Sequence, residues 1–228
     1  MMFDKLYPYR FELFLATQLS ILFGSLVMPI SWFENWIMPI LLLFNIGSGI
    51  LLAFKKKRLF RFLLAFLAVS ILLVVTGFID SGVDKNFDYL KLASYFIFYG
   101  FVTVEIIKQV WKAKVVSKNV ILGLISGYIS LGLLSFFLCL TIEIVYPNSF
   151  TGTAILAGVN TDITDQLMYY SYITLMTIGY GDILPVTPIA QKASVFIGLI
   201  GQFYLVILTA IVVGKYINQS IKTNEENR

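Results

Sequence analysis

The stretch LMTIGYGD, residues 175–182, sets Gly179 and Gly181 on either side of Tyr180, with Thr177 and Ile178 before them and Asp182 behind. Glycine adopts φ above zero at little steric cost. Alternating such residues with ordinary L-residues turns successive carbonyls towards one line. The oxygens of Thr177, Ile178, Gly179, Tyr180 and Gly181 can then stand in for the water around a dehydrated cation, and the Thr177 hydroxyl adds one more ring at the inner end. A single chain supplies one wall of such a tube, and four chains around an axis close it. The plainer alternative is a glycine-rich turn joining two helices.

The elements that must position this stretch lie in a lipid-like setting. The chain has 228 residues, of which 58% are hydrophobic and 13% charged, with a mean hydropathy of +0.85. Soluble domains carry roughly 25% charged residues, so the bilayer is the expected solvent. Irregular backbone at membrane depth is tolerated only where it is buried in protein or lines a water-filled cavity, which is the position the glycine stretch requires. There is no histidine, which excludes imidazole metal sites and His-based acid–base catalysis; no nucleophile–base pair or metal cluster points to an enzyme. The only cysteine, Cys139, sits in an apolar run and is expected to fill packing space.

A membrane crossing takes roughly 20 mostly apolar residues. Six segments qualify: about 11–30, 36–54, 60–79, 89–107, 120–146 and 190–217. The first is too long for a signal-peptide core and lacks a small-residue cleavage site after it. A seventh stretch, 163–176, opens with acidic residues and ends at the glycines, which suits a re-entrant helix. The fold class expected is an all-α membrane protein of six transmembrane helices plus a re-entrant pore helix and its loop. The divisions expected are a four-helix membrane domain at 1–118, a pore domain at 119–218 and a short tail at 219–228. The loop 147–162, rich in Gly, Asn, Thr and Ser, reads as a turret without regular structure.

Charge orients the spans. Of the 17 Lys and Arg, 14 fall on one side, among them Lys5, Arg10, Lys55 to Arg58, Lys108 to Lys118 and Arg228, leaving Lys85, Lys91 and Lys192 on the other. Basic loops mark the cytoplasmic face, so both termini are expected inside, with Glu34, Asp80, Asp84, Asp162, Asp165 and Asp182 outside. The net charge of +4 is better explained this way than by nucleic-acid binding. The cluster Lys55 to Arg58 can either bind anionic lipid headgroups or simply fix topology.

TIGYGD resembles the filter signature of the tetrameric potassium channels, with Ile178 where Val is commoner. The resemblance runs over about 120–217, and GQFYLVILTAIVVGKY (201–216) is similar to the inner-helix ending of bacterial potassium channels of the ion-channel pore family. It implies K+ bound at Thr177, Ile178, Gly179 and Tyr180 as the permeant ion, no cofactor, three further copies of the chain as partners, membrane lipids around them and a bacterial inner membrane as location. It also implies that Tyr169 and Tyr170 brace the filter where voltage-gated relatives carry a Trp pair. Plain aromatic packing is the alternative for both. By the same resemblance Glu143 ties the outer helix to backbone just beyond the pore, Asp182 bonds back to the pore helix, and Gly201 is the hinge of the inner helix. Without the family, Glu143 is an interfacial carboxylate and Gly201 one of several packing glycines, with Gly198 and Gly214. Gly123 and Gly127 form a GxxxG packing face.

Six spans with the pore between the last two is the layout of voltage-gated channels, yet the fourth span, YLKLASYFIFYGFVTVEII, holds no arginine. Lys91 alone supports a shallow voltage dependence at most, since strong gating moves about 3–4 charges per subunit. Glu105 and Lys108, spaced i, i+3, read as an interfacial pair. The function expected is a homotetrameric, potassium-selective channel that is not steeply voltage-gated. The alternatives are a weakly selective cation channel and a subunit of a potassium transporter.

Overall fold

A computed structural model describes residues 6–29, 32–54, 56–79, 85–152 and 163–226. Lys5, Lys55, Asp80, Asp84, Asp162, Arg228 and the turret from 153 to 162 lie outside the described residues. The chain divides into two compact units, Met1–Gly127 and Tyr128–Arg228.

In the first unit, helix α1 (Arg10–Phe23) is flanked by 3-10 turns at Tyr7–Tyr9 and Gly24–Leu26. The segment expected as one α-helical span over 11–30 is therefore α-helical for 14 residues only. With the tighter 3-10 turns its length still reaches about 33 Å. A π-helical turn, Phe33–Ile37, leads into α2 (Met38–Leu52), whose Pro39 sits in the first turn where its missing N–H is harmless. The Phe33 ring occupies the space a Cβ at Gly24 would need. Helices α3 (Lys57–Ile79) and α4 (Lys85–Lys112) come next, and α5 (Lys118–Val145) begins in this unit and ends in the second.

The core of the first unit is aromatic: Phe14, Phe33, Ile46, Phe98 and Tyr99 are fully buried. Within it runs a chain of uncharged hydrogen bonds. The Tyr99 hydroxyl donates to Asn45 Oδ1 at 2.7 Å, Asn45 Nδ2 donates to Thr17 Oγ1 at 2.7 Å, and Gln18 Nε2 donates to the Ser126 carbonyl at 3.2 Å. Buried polar groups without partners cost about 1–3 kcal/mol each, so these bonds hold α1 in register with α2 and α4 on one side and with α5 through Ser126. Gly123 brings α5 against Phe11 and Val110, which fits the packing role expected of it.

The second unit holds the rest of α5, a two-stranded sheet, helix α6 (Ile163–Leu175), α7 (Pro188–Phe203), a π-helical turn at Tyr204–Leu208 and α8 (Thr209–Glu226). Strands β1 (Phe150–Gly152) and β2 (Ile183–Pro185) pair antiparallel with Thr151 opposite Leu184. The expectation that 147–162 lacks regular structure is thus wrong for its first part. Hydropathy and turn residues in 147–152 carry no sign of a strand whose partner lies more than thirty residues away. Among the described residues, two helices are long and apolar enough to cross a bilayer: Lys118–Val145 and the continuous run Pro188–Ile221. Met38–Leu52 is a shorter apolar helix.

Candidate functional site

Helix α6 stops at Leu175 because the backbone turns left-handed two residues later. Thr177 has φ +57°, in the left-handed region. Its N–H donates to the Thr174 carbonyl at 3.0 Å, and the Ile178 N–H donates to the Ile173 carbonyl at 3.0 Å. This pair of bonds is the Schellman ending, in which one left-handed residue, usually glycine, turns the chain out of the helix. Met176 N–H reaches the Tyr172 carbonyl at 2.9 Å, and the Tyr128 hydroxyl reaches the Leu175 carbonyl at 3.3 Å. All four terminal carbonyls of α6 are hydrogen-bonded. The C-terminal end of α6 therefore presents its axial dipole rather than bare oxygens.

The left-handed residues then alternate. Thr177, Gly179 and Gly181 have φ of +57°, +57° and +80°, with Ile178 and Tyr180 between them on the ordinary side. That is the alternation which lines carbonyls along one direction. A β-branched residue at positive φ is uncommon and costs on the order of 1–3 kcal/mol. Gly179 and Gly181 were legible from the sequence as such positions, whereas nothing in its residue type marked Thr177 as a third. In the single chain Tyr180 is 71% exposed and Ile178 47%; both are large side chains only partly covered.

The surroundings fix this loop from behind. Tyr169 lies against Asp182, just past the glycines. Tyr170 is buried, shares a 2.6 Å hydrogen bond with Ser194 Oγ on α7, and meets the Phe150 ring edge-on at 5.1 Å. The two tyrosines expected to act alike thus face different neighbours: one reaches the loop, the other joins α6 to α7 and to β1. Tyr172 donates to the Ile129 carbonyl at 2.8 Å, with its ring filling the space above Gly132. Tyr128, Tyr172 and Ser194 carry no spacing signal. The available cue was that a tyrosine inside an apolar run needs a partner for its hydroxyl.

Glu143 is an anchor, but its target is nearer than expected. Its carboxylate accepts the N–H groups of Asn148 (2.7 Å), Ser149 (2.9 Å) and Phe150 (3.1 Å). Asn148 has φ +64°, and this left-handed turn converges successive N–H groups into a small anion cradle. The link to the backbone after the glycine loop is relayed through β1 to β2, through the Val186 N–H on the Ser149 carbonyl (2.8 Å), and through Thr187 Oγ1 to Ser149 Oγ (2.9 Å). Thr187 also caps α7, accepting from the Ala190 N–H, with Pro188 as the first helical residue.

Gly201 lies within α7 where a methyl group would overlap the Leu175 carbonyl oxygen. Its absent side chain lets α7 abut the end of α6. Gly198 meets only the Thr174 oxygen, at 3.9 Å. The break in regular α geometry comes after Gly201, at the π turn Tyr204–Leu208. Tyr204 is buried there, its ring 5.5 Å from that of Tyr128.

Residues 136–218, over a third of the chain, match the ion channel family model Ion_trans_2. The sequence is also similar to the two pore potassium channel c of Oryza sativa subsp. japonica, 44% identical over 62 residues, which is 27% of this chain and 13% of that protein. The chain thus matches only a small part of that relative's length. No solved structure matches it. Together these findings support an ion channel of potassium-channel kind in a membrane.

Proposed function

We propose that the chain is one quarter of a homotetrameric, potassium-selective channel. Residues Thr177 to Gly181 supply one wall of the filter, with K+ held by the carbonyls of Thr177, Ile178, Gly179 and Tyr180. The observation that carries this reading is the alternation of positive φ at 177, 179 and 181. It is supported by the exposed face of α7, where Val195, Phe196 and Phe203 are each more than half exposed in the single chain. Such a face is apolar surface that further copies would cover. In this reading six helices cross the membrane with both termini cytoplasmic, in a bacterial inner membrane. Asp182 gathers cations at the mouth, and Gly201 both packs and bends.

The test is potassium flux from liposomes, with valinomycin and sodium controls, for the wild type and for Gly179→Ala. Alanine at φ +57° is disfavoured by about 1–2 kcal/mol per chain, and four chains add up. Flux in the variant is expected to fall at least about tenfold; a variant that conducts like wild type removes the filter assignment. Reversal potentials in mixed sodium and potassium separate a selective channel from a weakly selective one.

A further inference from the structure

The first unit contains a cavity of about 430 Å³ whose lining includes none of residues 175–182. It lies at the start of α1, the ends of α2 and α4, and the link from α4 into α5. Five cations line it, Arg10, Lys56, Lys108, Lys112 and Lys114, against one carboxylate, Glu105. That carboxylate is already engaged. Lys56 Nζ sits 2.6 Å from its Oε2, and Gln109 Nε2 donates to its Oε1 at 3.0 Å while also reaching the Leu52 carbonyl. The expected pairing of Glu105 with Lys108 is therefore corrected. Lys56, from the α2–α3 turn, takes the buried carboxylate instead, and Gln109 one turn along α4 takes its other oxygen.

Arg10 is held as a pre-set donor. Its guanidinium stacks 4.2 Å over the Tyr7 ring and 4.7 Å from the Phe11 ring centre, and Nη1 donates to the Tyr7 carbonyl at 3.0 Å. Its Nε is buried and, among the described residues, has no hydrogen-bond partner. Neither Lys108, Lys112 nor Lys114 has a carboxylate partner among the described residues. Partial burial disfavours the Arg10 charge and holds its pKa below the usual range, which a bound anion would relieve. Basic residues that merely set topology need only water; they need neither a shared cavity nor an arginine fixed with a buried N–H turned from solvent.

We propose that this cavity binds a phosphate-bearing anion, with Arg10 supplying the planar fork and Lys108, Lys112 and Lys114 the surrounding charge. The phosphate belongs either to the headgroup of an inner-leaflet anionic lipid or to a soluble compound. The experiment uses the full chain in detergent and reads ligand-dependent thermal stabilisation. One arm titrates phosphatidylglycerol in mixed micelles against phosphatidylcholine, and the other titrates inorganic pyrophosphate. Saturable stabilisation by the anionic lipid alone identifies a lipid site, by pyrophosphate alone a soluble ligand, and by both a site that reads the phosphate itself. Lys112→Gln/Lys114→Gln, two exposed changes, is expected to weaken binding at least tenfold, and Arg10→Lys at least threefold. Lys57→Gln/Arg58→Gln, which removes two charges outside the cavity lining, is expected to change it less than twofold. Absence of saturable binding in both arms, or an equal loss in the Lys57/Arg58 control, overturns the proposal.

Discussion

Thr177 stands where two demands meet. As the left-handed residue that ends α6 it would be better as glycine, yet as the inner ring of the proposed filter it needs a hydroxyl. The two demands separate in one experiment. Thr177→Gly is expected to raise the unfolding midpoint, by up to about 1 kcal/mol per chain from relieved backbone strain, while lowering potassium flux. Thr177→Ser is expected to keep flux near wild type. If Thr177→Gly instead lowers stability, the backbone at 177 is not strained. Tyr169 and Asp182 can be examined in the same spirit. Tyr169→Phe and Asp182→Ala each remove one partner of this contact, so a double-mutant cycle on thermal stability should return a coupling of about 1 kcal/mol. Tyr170→Phe combined with Asp182→Ala should be additive, since Tyr170 bonds to Ser194.

Among the elements, helix α7 carries the sharpest contrast between a hinge and a contact. Gly201→Ala would push a methyl into the Leu175 carbonyl and is expected to destabilise the protein by about 1–3 kcal/mol. Gly198→Ala, with nothing nearer than 3.9 Å, should stay within about 0.5 kcal/mol of wild type. Thermal unfolding of both variants checks this; a Gly201→Ala protein as stable as wild type, with altered gating, would leave only the hinge role. At the turret, Glu143→Ala removes the acceptor for three N–H groups and should cost about 2–3 kcal/mol. The element pattern also shows what a sequence discloses. The end of α6 was readable to within a residue, because glycines and apolar length are local signals. Strand β1, the Lys56–Glu105 pair and the cradle at Glu143 were not, because each depends on a partner brought near only by folding.

At the scale of the whole molecule, the described residues that meet at the centre of the first unit are neutral, and Glu105, paired with Lys56, is its one buried carboxylate among the described residues. Asn45, Tyr99 and Thr17 occupy the interior where a voltage sensor would need cations and their counter-charges. Moving one charge through 100 mV is worth about 2.3 kcal/mol, and the neutral Asn45, Tyr99 and Thr17 offer no such lever. Tail currents recorded over a range of potentials are expected to show a shallow slope; one equivalent to ten or more charges per channel would contradict it. The glycine-punctuated loop and the two long apolar helices around it were apparent from residue type and spacing. The interior of the first unit was legible only as a lack of arginines, since which of its polar residues meet is decided by helix packing.

The widened turn at Tyr204–Leu208 carries its own consequence. Relative to an α-helix, a π turn inserts one residue, and each residue corresponds to about 100° of rotation. Side chains above and below it do not lie on one continuous 3.6-residue stripe. Counting in threes and fours from Phe196 or Phe203 past Leu208 therefore lands on the wrong flank. Whatever Thr209 and its successors present to a neighbour has been dialled round by roughly a quarter of a circle.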